Sequence, residues 1–342
     1  MSQPDPAEAK DLDTDLQSLS LSKDSLLIAY RSAGLGTFGM ATRFCVMPLE
    51  KIAFYMNSTQ VSGKNQLAQS VRLCFNKGLT APYKVVGPAS FYSWFLQYSV
   101  VGAAFQTIDH SLSKLLDTEP VCYGTKMMEL PSSEKKPLED YLKQGFKALA
   151  APGLAAGIES GISNRAEVQR FFGPEKFAEL EAQLKAKPIQ RALGPAFASN
   201  AFRNFIMCQT SFVLTPITYQ NLVPQEHKNA NTFFWYGLSA NILLGNSLAI
   251  TQQALWGRSL DYLAKHKNIE YYKVIEEGLK KEGASAFFNS GKWLTRSLMN
   301  APVQGVLPWF YNEILPLGED TVLKLIEDQE QGNEADNSQD DA

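Results

Sequence analysis

Charged side chains lie in the middle of several apolar stretches of this 342-residue chain. A charge that faces lipid is costly, so such residues usually face the interior of a helical bundle or a water-filled cavity. There they pair with one another or bind an ion. The residues in question are Arg43, Asp109, Glu159, Arg165, Arg203 and Arg296. The pattern therefore predicts a polar interior surrounded by apolar helices.

Residues that usually carry covalent or metal chemistry are scattered along the chain. The three histidines form neither a Ser/His/Asp arrangement nor a metal-binding spacing. The four cysteines show no CxxC or paired spacing, which predicts free thiols. These residues are His110, His227, His266, Cys45, Cys74, Cys122 and Cys208. We therefore expect no catalytic residues, no metal site and no enzymatic cofactor.

Both ends of the chain are polar and acidic, and they lower a mean hydropathy that would otherwise be high. Such segments bury too little apolar surface to fold alone, so 1–24 and 319–342 are predicted tails. The acidic amino terminus differs from an Arg-rich transit peptide and from an apolar secretory signal, so any targeting information must be internal. A net charge of −3 without a Lys/Arg stripe argues against nucleic-acid binding.

Six stretches are long enough to cross a bilayer, which takes about 20 mostly apolar residues. The fold class predicted from them is an all-α membrane protein with six transmembrane helices. A large soluble helical protein with charges on its solvated faces is the alternative. The six stretches run near 25–55, 88–115, 145–172, 195–219, 232–262 and 292–316.

The same order of features occurs three times: a helix with small residues, a polar link with a short amphipathic stretch, and an aromatic-rich helix. We place these repeats at 25–120, 140–225 and 226–318, with a linker at 121–139. The amphipathic stretches are expected near 66–77, 176–187 and 270–281. Two helices of the repeats carry spaced glycines, which let helix backbones approach closely in membranes. These glycines are Gly34, Gly36, Gly39, Gly153, Gly157 and Gly161.

Two segments carry a resemblance to a known family. The third repeat contains Lys281–Gly291, followed by Arg296, Pro302 and Asn312-Glu313, and the first contains Pro48-Leu49-Glu50-Lys51-Ile52-Ala53. The chain resembles the mitochondrial carrier family over about residues 25–318. The resemblance implies three helical pairs around an axial cavity, short amphipathic helices on the matrix side, and a location in the mitochondrial inner membrane, with the outer membrane as the less favoured location.

The resemblance also implies a gate. In the family, a proline kinks each odd-numbered helix, and an acid and a base beside it form a ring of inter-helix salt bridges. Pro48, Glu50 and Arg258 are the gate residues that match. Glu50 is expected to pair with Arg258 or Lys51, and Glu167 with a neighbouring helix. The helix is expected to bend at Pro48, while the positions aligned with this proline, Asn164 and Gln253, should leave their helices straighter. The remaining aligned positions carry no suitable charge: Ala53, Ala166, Gln169 and Leu255.

Candidate substrate residues follow from the same resemblance. Arg203-Asn204 lies where carriers of small carboxylates often present an Arg and an amide, which would suit a bidentate carboxylate clamp. Gln97 and Asn300 occupy equivalent positions on two other helices. An interior ion pair of Arg203 with an acid such as Glu159 is the alternative.

Lipid contacts are expected at two places. Tyr83-Lys84 resembles the family's aromatic-basic cardiolipin motif, and Ser290-Gly291 is assigned to lipid by the same resemblance. Cardiolipin is accordingly the expected bound lipid.

Two functions remain open. One is a carrier-fold protein that does not transport and serves as a structural or accessory subunit of a mitochondrial inner-membrane complex of the respiratory-chain type. The other is a working exchanger of small carboxylates that operates by alternating access. The eroded gate favours the first, because a transporter needs an element that switches between two states.

Overall fold

In a computed structural model, the protein is described over 6–57, 61, 65–85, 88–118, 138–185, 187–266 and 268–325. Side chains are described from residue 26 onward, apart from those at 57, 85, 89, 171, 172, 174, 304 and 312. Every regular element in these ranges is helical. Six long helical rods, numbered 1 to 6 in chain order, make up the described part of the chain. The predicted all-α class is therefore confirmed.

The first helical pair consists of rods 1 and 2 and the link between them. Rod 1 contains α1 (Pro6–Cys45) and α2 (Met47–Asn57). The link carries α3 (Gln66–Phe75), and rod 2 is α4 (Pro88–Leu116). The predicted amphipathic stretch near 66–77 is thus a helix.

The second pair begins with rod 3, which is α5 (Leu138–Phe172). Gly173 adopts φ +80°, a conformation that ends helices readily, and Pro174 then starts α6 because its φ suits a first helical turn. The link and rod 4 comprise α6 (Pro174–Gln183), α7 (Pro188–Leu193), α8 (Phe197–Cys208), a π-helical segment (Gln209–Leu214) and α9 (Thr215–Leu222).

The third pair contains rods 5 and 6. Asn289 caps the start of rod 6, because its side chain accepts a hydrogen bond from the Lys292 amide at 2.8 Å. Rod 5 comprises α10 (Ala230–Ala240), a π segment (Asn241–Gly245) and α11 (Asn246–Lys265), and the link carries α12 (Tyr271–Glu282). Rod 6 comprises α13 (Ser290–Asn300), a π segment (Ala301–Gly305), α14 (Leu307–Trp309), a second π segment (Phe310–Ile314) and helix at 316–325.

Rod 1 is divided into two helices next to Pro48. Helix α1 ends at Cys45 and α2 begins at Met47, one residue before Pro48. Rods 3 and 5 run as continuous α-helix through Asn164 and Gln253. The helix assignment thus changes next to Pro48 and not at Asn164 or Gln253. The expected bend at Pro48 and the straighter course of rods 3 and 5 stay predictions.

The terminal segments differ from the tails expected from composition. Helix α1 already begins at Pro6, and residues 319–325 continue rod 6 as helix. Once a helix is nucleated, each added residue contributes a backbone hydrogen bond, so a polar extension can remain helical beyond the packed part of a rod. Residues 1–5 and 326–342, and the linker up to residue 137, lie outside the described residues.

The two glycine sets serve different purposes. A Cβ atom on Gly36 would lie 2.8 Å from the carbonyl oxygen of Phe95 in rod 2, so glycine is needed for this approach of rods 1 and 2. Around Gly157 in rod 3, by contrast, a Cβ atom would meet nothing within 4 Å. At Gly153 and Gly161 it would make only ordinary contacts. The expected close packing holds for the first rod and is wrong for the third.

The rods meet across the bundle at both of its ends. The link end is the end that carries α3, α6, α7 and α12, and the loop end is the opposite one. At the link end, odd rods join in one apolar cluster through Phe54, Val168 and Trp256. Towards the loop end, even rods meet where Phe105 of rod 2 stacks on Phe212 of rod 4, with ring centroids 5.0 Å apart. A larger apolar cluster surrounds this stack and joins rods 1, 2, 3, 4 and 6.

Among the described helices, one is long and apolar enough to qualify as a membrane span by length and composition, and it is rod 5, Ala230–Lys265. About 39% of its most apolar stretch is buried within the protein. The other five rods carry more charge or less apolar sequence.

Candidate functional site: a charged cleft between the rods

A cleft of charged and polar side chains lies between five of the rods. Three arginines and two glutamates supply its charge, so the lining carries one excess positive charge. Rods 1, 3, 4, 5 and 6 contribute to it. Its lining residues are Arg43, Glu50, Ala53, Glu167, Arg203, Asn204, Met207, Gln253, Arg296, Met299 and Asn300.

Glu50 joins rod 1 to rod 3. Its carboxylate accepts a hydrogen bond from Nη2 of Arg170 at 3.2 Å and lies 3.6 Å from Nη1 of Arg43. Arg43 also donates from Nε to the Tyr98 hydroxyl at 2.7 Å, which adds rod 2. The Arg170 guanidinium lies 5.0 Å from the ring centroid of Trp94, within cation–π range. One buried carboxylate thus holds three rods together.

Glu167 joins rod 3 to rod 4. Both of its oxygens accept from Nη2 of Arg203, at 3.0 and 3.2 Å. The sequence predicted an ion pair of Arg203 with an acid such as Glu159, and the structure shows Glu167 in that place. Glu159 lies eight residues earlier on rod 3, about 12 Å away along the helix. It accepts a hydrogen bond from Gln97 instead.

Gln253 of rod 5 lies between two guanidinium groups. Its Oε1 atom accepts from Nη1 of Arg203 at 2.7 Å and from Nη1 of Arg296 at 2.8 Å. Arg296 is 3% exposed, and no carboxylate of the described residues lies within ion-pairing distance of it. The neutral amide oxygen of Gln253 accepts its hydrogen bond but does not neutralise it, so the positive charge of Arg296 has no ion-pair partner among the described residues of the cleft.

Of the predicted substrate residues, three share the cleft and one does not. Asn204 and Asn300 line it together with Arg203. Asn204 Oδ1 accepts from Arg203 Nε at 3.1 Å, which orients the guanidinium. Gln97 lies outside the lining, because its amide donates to Glu159 Oε1 at 2.6 Å. The expected clamp of all four residues is thus incomplete.

Arg258 takes no part in the cleft. Its Nη2 atom bonds Glu282 at 2.7 Å and its Nε atom donates to the Ala286 carbonyl at 3.1 Å, so it attaches α12 to rod 5. Of the two partners expected for Glu50, Arg258 is wrong, because Arg258 binds Glu282 and Glu50 binds Arg170. The other, Lys51, donates from Nζ to the Arg170 carbonyl oxygen at 3.1 Å. Pro48 lies beside α3, where its carbonyl oxygen is 3.6 Å from Cys74 Sγ.

Alignment of the repeats missed Arg170 and did not place Glu167 in the gate, although Glu167 was expected to pair with a neighbouring helix and does bind Arg203 of rod 4. The aligned positions were Ala166 and Gln169, one residue earlier. The signal was present, because an acid and a base three residues apart repeat the Glu50-to-Ala53 spacing. A register shift of one residue moves a side chain by about 100° around a helix, which is enough to take it out of the interior.

The expected lipid residues lie at two separate places. Tyr83 packs its ring against Phe44 at 5.2 Å, and Lys84 beside it is exposed. Ser290 and Gly291 start rod 6 near the amino end of α3, where Asn289 donates to Gln66 at 3.2 Å. Helix α3 spans about 15 Å between the two places, so they do not form one binding surface.

In comparisons with known proteins, no protein-family model matches the chain, and no curated protein shows significant similarity to it. Within the described ranges, no group of three His, Cys, Asp or Glu side chains is arranged to hold a metal ion.

Proposed function

We propose that the protein is a carrier-fold membrane protein with six spanning helices that does not transport solutes. In this proposal it is a structural or accessory subunit of a respiratory-chain type complex in the mitochondrial inner membrane. The carrier fold, the mitochondrial location and the type of partner rest on the resemblance of Lys281–Gly291 and Pro48–Ala53 to the carrier family.

The distribution of polarity supports insertion into a membrane. Charged residues are buried in the interior, while large apolar residues are exposed on the outside, which is the reverse of a soluble protein. On rod 3, Glu159 and Glu167 are 3% and 4% exposed, whereas Leu142, Leu149 and Ile158 are 65%, 58% and 46% exposed. An exposed apolar face of this length suits contact with lipid or with other membrane helices.

The absence of transport rests chiefly on one observation: side chains fill the bundle at both ends. Odd rods meet at the link end through Phe54, Val168 and Trp256. Even rods meet towards the loop end through Phe105 and Phe212. An exchanger that works by alternating access needs a cavity open to one side around its site. Here an apolar cluster occupies the space above the charged cleft.

The ion pairs at the link end give further support. Rods 1 and 3 are joined by Glu50 and Arg170. Glu167 binds Arg203 of the neighbouring rod 4, and Leu255 and Ala53 offer no charge between rods 5 and 1. A ring of three exchangeable bridges would require a charge pair at each junction of odd rods. Among the described residues, only the junction of rods 1 and 3 has such a pair, so the three junctions do not form a symmetric switch.

An anion exchanger is the second candidate, and Arg296 is the observation that favours it. A buried guanidinium without a carboxylate partner among the described residues, beside Arg203 in a cleft, would suit a small carboxylate. Under this alternative, the even rods would have to part to admit the ligand.

Three measurements test the proposal, the first on isolated membranes and the other two on protein extracted in detergent. We expect alkaline carbonate to leave the protein in the membrane pellet, and native electrophoresis in mild detergent to show it in a complex much larger than 37.9 kDa. In proteoliposomes, we expect no saturable exchange of carboxylates.

Two variants complete the test. Robust exchange that Arg203→Ala and Arg296→Ala both abolish, and that Lys176→Ala leaves unchanged, would overturn the proposal in favour of the exchanger. Lys176 forms an exposed ion pair with Glu179 and thus serves as the matched control.

A further inference from the structure

Rods 1 and 6 are neighbours that no chain segment connects. At the loop end, residues 117–137 lead from rod 2 to rod 3, and residues 223–229 lead from rod 4 to rod 5. Rods 6 and 1 lie at opposite ends of the sequence. Contacts between side chains must therefore close the ring of rods at this place, which we call the seam.

A bidentate ion pair spans the seam. Nε and Nη2 of Arg31 donate to Oε1 and Oε2 of Glu319, at 2.7 and 2.8 Å. The side chains are only 13% and 10% exposed. Arg–carboxylate pairs of this parallel geometry are among the strong and directional hydrogen-bonded contacts in proteins. The partial burial also limits screening by salt.

Other contacts align the two rods around this pair. The Tyr30 hydroxyl donates to the Leu315 carbonyl at 3.1 Å, and Phe38 stacks on Phe310 with ring centroids 4.4 Å apart. Gly34 and Gly318 allow the approach, because a Cβ atom on either would collide with the facing rod.

The seam also contacts rod 2. Tyr311 of rod 6 donates its hydroxyl hydrogen to Gln106 of rod 2 at 3.0 Å. Rods 1, 2 and 6 are thus fastened together at one level, directly above the apolar cluster that fills the bundle. Arg31 lies 19 residues before Glu50, about 28 Å along rod 1, so the seam is independent of the charged cleft.

We propose that the Arg31–Glu319 pair is a clasp that keeps the loop end of the bundle closed. With the clasp in place, rods 1 and 6 cannot separate and water cannot enter above the Phe105–Phe212 stack. Without it, the seam loses its bidentate contact and keeps the Phe38–Phe310 stack, the Tyr30 hydrogen bond and apolar packing that includes Leu35 and Leu315. This inference rests on the proposed membrane fold, and it names the contact that keeps the loop end of that fold closed.

Cys208 reports on the closure. It is 3% exposed in rod 4, one turn before Phe212, and it belongs to the apolar cluster below the seam. In a background of Cys45→Ser, Cys74→Ser and Cys122→Ser, the protein in nanodiscs is treated with a charged methanethiosulfonate reagent. We expect slow labelling of Cys208 with the clasp intact, and labelling about tenfold faster after Glu319→Gln, since a tenfold change needs only a modest loss of closing free energy.

The charge-swapped double variant, Arg31→Glu with Glu319→Arg, separates a clasp from general destabilisation. It should restore slow labelling, whereas each single reversal should accelerate it. Lys143→Gln is the matched control, because Lys143 pairs with Glu139 in an exposed position on rod 3 and should leave the rate unchanged. Thermal unfolding of each variant shows whether the fold is retained.

Two outcomes would refute the clasp: unchanged labelling in Glu319→Gln with the fold retained, or a failure of the charge swap to restore protection in a folded protein. Failure of the proposed function looks different. It would appear as solute exchange or as loss of membrane association, neither of which depends on the rate of Cys208 labelling.

Discussion

The amide oxygen of Gln253 accepts hydrogen bonds from Arg203 and Arg296 at once, at 2.7 and 2.8 Å. A neutral acceptor between two buried guanidinium groups satisfies their hydrogens but balances neither charge. Rods 4, 5 and 6 converge on this single atom. The carrier resemblance aligns Gln253 with Pro48 of rod 1, and at this position of rod 5 the side chain binds two neighbouring rods.

Substitutions of Gln253 should therefore lower the stability of the protein if they remove the acceptor and raise it if they add a negative charge. Gln253→Leu leaves two buried guanidinium groups without this acceptor and should lower the free energy of unfolding by about 1–3 kcal/mol. Gln253→Glu places a carboxylate between the two cations and should raise the melting temperature in detergent. Gln252→Leu on the same rod is the control and should have a small effect. A lower melting temperature for Gln253→Glu would contradict the assignment of excess positive charge to the cleft.

The ion pair of Glu50 and Arg170 should show coupling in a double-mutant cycle. Removal of either partner leaves the other charge buried at the link end, so Glu50→Gln and Arg170→Met should each destabilise strongly, by about 3 kcal/mol. The double variant should cost less than the sum of the two single variants. Chemical or thermal unfolding in detergent measures the cycle. The exposed pair of Lys176 and Glu179 provides a reference cycle with a coupling near zero.

Additive effects of Glu50→Gln and Arg170→Met would mean that the two side chains do not interact in solution. In that case Arg43, which lies 3.6 Å from the other Glu50 oxygen, would be the partner to test next.

Glycine substitutions should distinguish rod 1 from rod 3. At Gly36, an added methyl group would lie 2.8 Å from the Phe95 carbonyl oxygen, so Gly36→Ala should force rods 1 and 2 apart and lower the melting temperature. At Gly157 there is open space, and alanine favours a helix over glycine by about 1 kcal/mol. Gly157→Ala should thus be neutral or stabilising. A strong loss of stability on Gly157→Ala would show that another helix packs on this face.

The sequence predicted the helical architecture well and the interior less well. The all-helical class and the approximate places of the long helices follow from sequence periodicity and from the polar links between them, which are local properties. The partners of Glu50 and Arg203 depend on how each rod is rotated and shifted along its axis. A one-residue error moves a side chain by about 100°, which is why Ala166 and Gln169 were aligned where Glu167 and Arg170 lie.

The glycine pattern likewise predicts which residues share a helix face but not what that face contacts. The spacing of four residues places Gly153, Gly157 and Gly161 on one face of rod 3. It does not predict which rod packs against that face. In rod 1 the glycine face meets rod 2, and in rod 3 it meets little of the chain itself. Only the packed structure separates these two cases.

Cys74 should react with alkylating agents in a way that reports on the packing of α3. Burial raises the pKa of its thiol from 9.0 to about 11, and the nearby Lys51 cation offsets this only partly. The reactive form is the thiolate, so at pH 8 the thiolate fraction should be about 100-fold lower than that of an unperturbed thiol, because each pKa unit is a factor of ten. We expect slow alkylation of Cys74 by iodoacetamide near neutral pH, with a rate that climbs until about pH 11, in a protein whose other three cysteines are serine.

The free energy of unfolding should also depend on pH through the Cys74 thiol. The thiol loses its proton in the unfolded chain near pH 9 but in the folded protein only near pH 11. Between these values the unfolded state binds fewer protons than the folded state, so the contribution of Cys74 to folding stability is constant below about pH 9 and decreases as the pH rises towards 11. Cys74→Ser, which does not titrate in this range, should remove this component of the alkaline destabilisation. An alkylation profile with a midpoint near pH 9 in the folded protein, matching that of the chain unfolded in detergent, would mean that α3 does not shield Cys74 against rod 1.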